Sequence, residues 1–85
     1  MWFVYILKAS DKSLYTGITI DIQRRISEHN SDNILGSKSL RGKRPVALAY
    51  FESFQTRSEA TKREIEIKSL KRIEKLQLIR NFKKK

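Results

Sequence analysis

The stretch Trp2-Phe3-Val4-Tyr5-Ile6-Leu7-Lys8-Ala9-Ser10-Asp11-Lys12-Ser13-Leu14-Tyr15-Thr16-Gly17-Ile18-Thr19 sets two apolar runs around a cluster of turn formers. The first run, Trp2 to Leu7, is dense in aromatic and β-branched side chains. No polar position interrupts it, which suits a strand covered on both faces. Ser10-Asp11-Lys12-Ser13 is turn chemistry, and Leu14 to Thr19 reads as a returning strand. Together they make a β-hairpin.

Reading outward, Asp21 offers a carboxylate oxygen to free amides and caps a helix over Ile22 to Asn30. Ser31 to Arg44 is polar, holds Gly36 and Gly42, and ends at Pro45, so it reads as a loop. Val46 to Phe54 is a third strand. Thr56-Arg57-Ser58-Glu59 has the form of a capping box. A long helical pattern follows to about Phe82, with a break expected near Leu70 to Arg72. The order β-β-α-β-α-α makes an α+β domain, a three-stranded antiparallel sheet flanked by helices. A single domain is expected over residues 1–82, with 83–85 a basic disordered tail.

Eighty-five residues support one modest core, and the absence of cysteine excludes both disulfides and cysteine-bound zinc. The first apolar run is far too short for a membrane span. A soluble, cytoplasmic protein with no membrane association is expected. Nineteen Lys and Arg against nine Asp and Glu give a net charge of +10. Arg57 to Lys85 alone carries eleven basic and four acidic residues, and Asn33 to Phe51 four basic and none acidic. Such a domain repels itself, and a polyanionic partner explains the cost; nucleic acid is favoured over a merely solvated basic surface, while the charge alone fits an anionic membrane surface equally.

Several residues stand out chemically. Tyr5 and Tyr15 sit on the two hairpin strands, and Gly17 is unusual inside a strand, marking a bulge or a close approach. Taken singly, each tyrosine is more often core or cross-strand packing. In the first helix Ile22, Arg25, Ile26 and His29 share an arc of ~100°. The isoleucines should face the sheet, leaving Arg25 and His29 at the edge of the buried stripe. Arg25 there can pair with an acid or grip a phosphate. His29 is either a half-buried spacer or a group that moves protons near neutral pH. Glu64 lies about 40° from Ala60 on the second helix, beside the Ala60–Ile67 stripe, whereas Glu59 and Glu66 face water or basic neighbours. A carboxylate beside packing residues needs a lysine or a divalent cation as partner.

The combination is more specific than its parts. Phe3-Val4-Tyr5, Tyr15-Thr16-Gly17, Arg25 and His29 on one helix and Glu64 on a later one resemble the GIY-YIG nuclease superfamily. Trp2-Phe3-Val4-Tyr5-Ile6-Leu7, the second strand and Glu28-His29-Asn30 bring it nearest to the small stand-alone UPF0213 (YhbQ-like) proteins. The resemblance spans residues 1–79. It implies a metal-dependent endonuclease hydrolysing phosphodiesters with one divalent ion, Mg2+ or Mn2+, and no small-molecule cofactor. By the same resemblance Tyr5, Tyr15, Arg25, His29 and Glu64 are the catalytic residues. Glu64 would hold the metal, Arg25 would steady the charge on the phosphoryl group, and Tyr15 would take the proton from water. Tyr5 and His29 would position water or relay that proton. The side chains of all five should converge on one concave site. Gly17, Lys38, Arg41, Lys43 and Arg44 would contact nucleic acid, with DNA favoured over RNA and a monomer expected.

The chain departs from the family pattern at four places. Phe-Val-Tyr lacks the namesake glycine, Ile18 stands where many relatives have lysine, Ser39-Leu40 replaces Tyr-Thr, and Lys71 replaces a capping serine. The alternative is a nucleic-acid-binding module with little or no catalysis, relying on its basic surface.

Overall fold

The computed structural model describes residues 1–31, 36 and 38–83, with the backbone alone at 38, 39 and 41. The elements are β1 (Trp2–Lys8), β2 (Leu14–Thr19), α1 (Ile22–Ser31), a 3-10 helix (Lys38–Lys43), β3 (Ala47–Phe54), α2 (Arg57–Ser69) and α3 (Arg72–Lys83). The sheet is antiparallel with order β2-β1-β3, so the hairpin's first strand is central.

The uninterrupted apolar run of β1 follows from that position. Val4 to Leu7 are all buried, because strand alternation sends them to two separately covered faces. Val4 and Ile6 join Ala49, Tyr50, Ala60, Ile67 and Ile79 in a core beneath α2 and α3. Tyr5 and Leu7 join Ala9, Leu40 and Val46 on the other face, with Tyr15 and Ile26 packed alongside. The helices therefore sandwich the sheet, α1 and the 3-10 helix on one side, α2 and α3 on the other.

The expected caps are present. Asp21 Oδ1 accepts from the Arg24 amide at 3.1 Å. Thr56 and Glu59 cap α2 reciprocally, each backbone amide donating at 3.2 Å to the other's side chain. The helical pattern breaks at Leu70, where the backbone turns extended. Several boundaries differ from the sequence reading; β1 runs on to Lys8 and β3 begins at Ala47 rather than Val46. The stretch read as loop from Ser31 to Arg44 contains the 3-10 helix, built on Leu40, which is 3% exposed and fills the core. Helix α1 includes Ser31, whose hydroxyl donates to the Ser27 carbonyl at 2.6 Å. Helix α3 runs through Lys83, while residues 84–85 of the expected tail lie outside those described.

Candidate functional site

Tyr5 stands opposite Gly17 in the β1–β2 register. Its ring lies over that glycine: a Cβ there would sit 2.6 Å from the Tyr5 hydroxyl oxygen and 2.8 Å from Cζ. Gly17 is the price of laying a phenol flat across the edge strand. It is itself buried, so its place is accounted for by Tyr5 rather than by an approaching ligand. Because β2 is an edge strand, this packing carries the Tyr5 hydroxyl to the margin of the sheet.

At that margin the phenol meets α1. Tyr5 Oη lies 3.2 Å from His29 Nε2, and the Arg25 guanidinium also donates to it. Burial, then the neighbouring Tyr15 phenol, pushes Tyr5 up to about 12, with the Glu64 charge adding to the rise and Arg25 opposing it. Tyr5 is thus a neutral phenol throughout the physiological range. The Tyr15 ring packs edge-on to His29, centroids 5.2 Å apart, and lies 6.5 Å from the Tyr5 ring. Tyr15 itself is only half-buried.

His29 corrects an expectation. It lies at the centre of the buried face of α1 and is completely buried, while Ile22 and Ile26 are half-buried. Burial, and after it the Arg25 cation, drags the imidazole down to about 4; Glu28 opposes this and Arg44 adds to it. A neutral ring sealed from water can serve as spacer and hydrogen-bond partner for Tyr5. The reason is local. Helix α1 has two isoleucines to bury and no larger apolar group, so His29 fills the core position and finds a phenol to bond.

Arg25 is mostly covered, its side chain 27% exposed, and its Nη1 donates to Glu28 Oε1 at 2.8 Å. Glu28 also faces Arg24 at 3.8 Å. The end of α1 is fixed by long-range bonds from Asn30 and Arg44. Asn30 acts as a piece of strand, its Nδ2 donating to the Val46 carbonyl at 3.0 Å and its Oδ1 accepting from the Val46 amide at 2.7 Å. Arg44 Nε donates to the His29 carbonyl at 2.6 Å, capping the helix C-terminus. Arg44 therefore lies beside His29. Lys43 is turned to the hairpin, with Nζ 3.7 Å from Asp11 Oδ2 and its carbonyl accepting from the Ser10 amide at 2.9 Å. The side chains of Lys38 and Arg41 lie outside those described.

Glu64 arrives from the other layer. Helix α2 buries Ala60 and Ile67 against the Val4–Ile6 face, opposite the face that carries Tyr5 and Tyr15. Glu64 thus approaches the sheet from the layer opposite the one that covers Tyr5. Yet the Glu64 charge reaches Tyr5, because the phenol extends to the β2 edge and α2 packs beneath β1 and β2. The carboxylate is 18% exposed and pairs with Lys68 Nζ at 3.3 Å. Among the described residues no group of three or more His, Cys, Asp or Glu could hold a metal. One carboxylate could hold a hydrated divalent cation such as Mg2+ or Mn2+ only if further oxygens, from water or a bound phosphate, complete its shell.

A family model described as the GIY-YIG catalytic domain matches residues 1–77. The chain belongs to the GIY-YIG family. It is 54% identical over 76 residues to a UPF0213 protein of Haloquadratum walsbyi, covering 89% of this chain and 83% of that one. A UPF0213 protein of Clostridium perfringens is 53% identical over 79 residues, covering 93% and 83%. Two solution NMR structures are similar. One is a UPF0213 protein of Bacillus halodurans, with TM-score 0.58, 42% identity and coverage of 93% and 83%. The other is a protein of E. faecalis, with TM-score 0.64, 40% identity and coverage of 98% and 86%. GIY-YIG is a nuclease-type family, and no helix among the described residues is long and apolar enough to cross a membrane.

Proposed function

We propose that this chain hydrolyses nucleic-acid phosphodiesters at the β2 edge of its sheet. The observation that carries the reading is the shared Tyr5 hydroxyl: His29 and Arg25 both bond it, and Tyr15 packs on the same imidazole. Two groups at this margin keep partial exposure, Tyr15 and Arg25. Arg25 would bind the phosphoryl oxygens and stabilise the charge that builds on them. Tyr15 would accept the proton of the attacking water. Tyr5 and His29, both neutral, would hold Arg25 and Tyr15 in place. Glu64 would supply the carboxylate for one divalent cation, which when bound lowers the energy of charge on the leaving oxygen. DNA is the favoured polymer, and the protein would act as a cytoplasmic monomer.

A second reading has an observation of its own. Ile18 offers no cation beside Tyr15, and Arg25 and Glu64 are each engaged by a charge on their own helix. A module that binds nucleic acid without efficient cleavage fits those facts. Labelled DNA and RNA of single-stranded, duplex and flap form, incubated with Mg2+, Mn2+ or EDTA, separates the two. Metal-dependent cleavage lost in Tyr15→Phe supports hydrolysis. Binding to the same panel without cleavage under any metal supports the second.

A further inference from the structure

At the hairpin end of the sheet, on the α3 side, Lys8, Leu76, Ile79, Arg80 and Lys83 line an open groove of about 460 Å³. Its floor is aliphatic: Ile79 is 7% exposed and Leu76 39%. Its walls are three cations from two different elements, and no acidic side chain lines it. Resting on the nuclease reading above, we propose that this groove binds the phosphodiester backbone of the substrate beyond the bond that is cut.

Continuity with the candidate site argues for that occupant. Leu7 pairs with Tyr15 and the next residue, Lys8, pairs with Leu14. Tyr15 and the groove thus lie at the same end of the sheet on opposite faces. The hairpin turn between them is held from both sides. Arg72 Nη2 donates to the Lys12 carbonyl at 2.8 Å, and the Ser10 hydroxyl donates to the Lys43 carbonyl at 2.9 Å. A chain crossing this end therefore meets a fixed surface that passes from Tyr15 over the turn to Lys8. Shape and charge fit the same occupant. Cations on two walls can straddle a thin polyanion whose sugars rest on Leu76, whereas a flat anionic membrane cannot enter a concave groove. The proposal gives the substrate a minimum length, since a phosphodiester with no flanking nucleotides cannot reach Lys8.

The test is a Lys8→Ala, Arg80→Ala, Lys83→Ala triple variant of the full chain, all three positions being exposed. Affinity would be measured in EDTA across salt, for a long single-stranded oligonucleotide and for a dinucleotide. Hydrolysis of bis-p-nitrophenyl phosphate, a small chromogenic diester, would be followed with Mn2+. For the long strand the log–log salt slope should fall in magnitude by about 2, at about 0.7 per phosphate contact. Dinucleotide affinity and small-diester hydrolysis should match the parent. An unchanged slope for the long strand, with Arg25→Ala still weakening it, overturns the groove and leaves the nuclease reading standing. Lost binding to phosphatidylserine vesicles with oligonucleotide binding intact overturns it in favour of a membrane contact. A parent protein that binds no polynucleotide overturns the groove and the nuclease reading together.

Discussion

Arg25 and Glu28, one turn apart on α1, meet at 2.8 Å with both side chains mostly covered. The guanidinium is thereby held between a carboxylate and the Tyr5 phenol. Glu28 occupies one donor edge that a phosphate would use, so substrate must compete with it. Glu28→Gln keeps a hydrogen-bond acceptor and removes the charge. Nucleic-acid affinity in EDTA should rise about twofold to fivefold, the scale of a partly exposed ion pair. The salt slope should steepen by up to about 0.9, because Arg25 then counts as a full cation. A fall in affinity would mean that Glu28 poses Arg25 for phosphate instead of competing with it.

Gly17 and Tyr5 give a steric test. A Cβ at residue 17 would overlap a ring that is 2% exposed and bonded at its tip, so neither side has room to yield. Gly17→Ala should destabilise the domain by about 1–3 kcal/mol. At about 4–8 °C per kcal/mol for a domain of this size, calorimetry would resolve it. Adding Tyr5→Phe removes the 2.6 Å contact and leaves the one at 2.8 Å, so the double variant should recover part of the loss. Simple additivity of the two losses would show that the ring is not the obstacle.

The limits of sequence reading are visible in these same residues. The hairpin, both caps and the helix break could be read because each rests on local chemistry: turn formers, a capping oxygen and apolar periodicity. Glu64 could be singled out by its angle to Ala60, but which face α2 covers is a property of the whole chain. His29 was placed at a stripe edge because periodicity ranks isoleucine ahead of histidine. The structure reverses that order, since Tyr5 supplies a partner that lies 24 residues away. The bonds made by Asn30 and by Arg44, the latter singled out only as a contact for nucleic acid, were illegible for a related reason. Each satisfies backbone groups about 15 residues distant, which no local pattern records.

His29 makes stability depend on pH in a definite direction. The unfolded chain takes a proton near 6.5, while the folded chain resists until about 4. Its contribution is thus fully present above 6.5 and is lost as pH falls toward 4. The slope is at most about 1.4 kcal/mol per pH unit from this one group. Urea unfolding of the parent and of His29→Gln over that window should show the slope in the parent and its loss in the variant. Equal slopes would assign the acid sensitivity to the carboxylates. At the alkaline end Tyr5, pushed up to about 12 from 10, has the opposite sense: its contribution holds below pH 10 and is lost as pH rises toward 12.

Glu64 and Arg25 should separate binding from cleavage. Glu64 is paired with Lys68 at 3.3 Å on the α2 side, and Arg25 sits with Tyr5 on the α1 side. If the carboxylate serves only to hold a cation, Glu64→Gln should abolish Mg2+-dependent cleavage and leave affinity in EDTA intact or slightly higher, since a negative charge near the phosphate is gone. Arg25→Ala should lose cleavage and part of the affinity, because its cation meets phosphate both before and during the reaction. Removing one preorganised charge contact costs about a hundred- to a thousandfold in rate, so the assay must resolve that range. Circular dichroism must first show both variants folded, as Glu64 adjoins the buried Ala60 and Ile67. Lys68→Met is the control on the same helix: it frees the carboxylate, and paramagnetic broadening by Mn2+ should appear at lower metal concentration than in the parent. Wild-type cleavage by Glu64→Gln would remove Glu64 as the metal's ligand and leave the Arg25–Tyr15 margin to account for the chemistry alone.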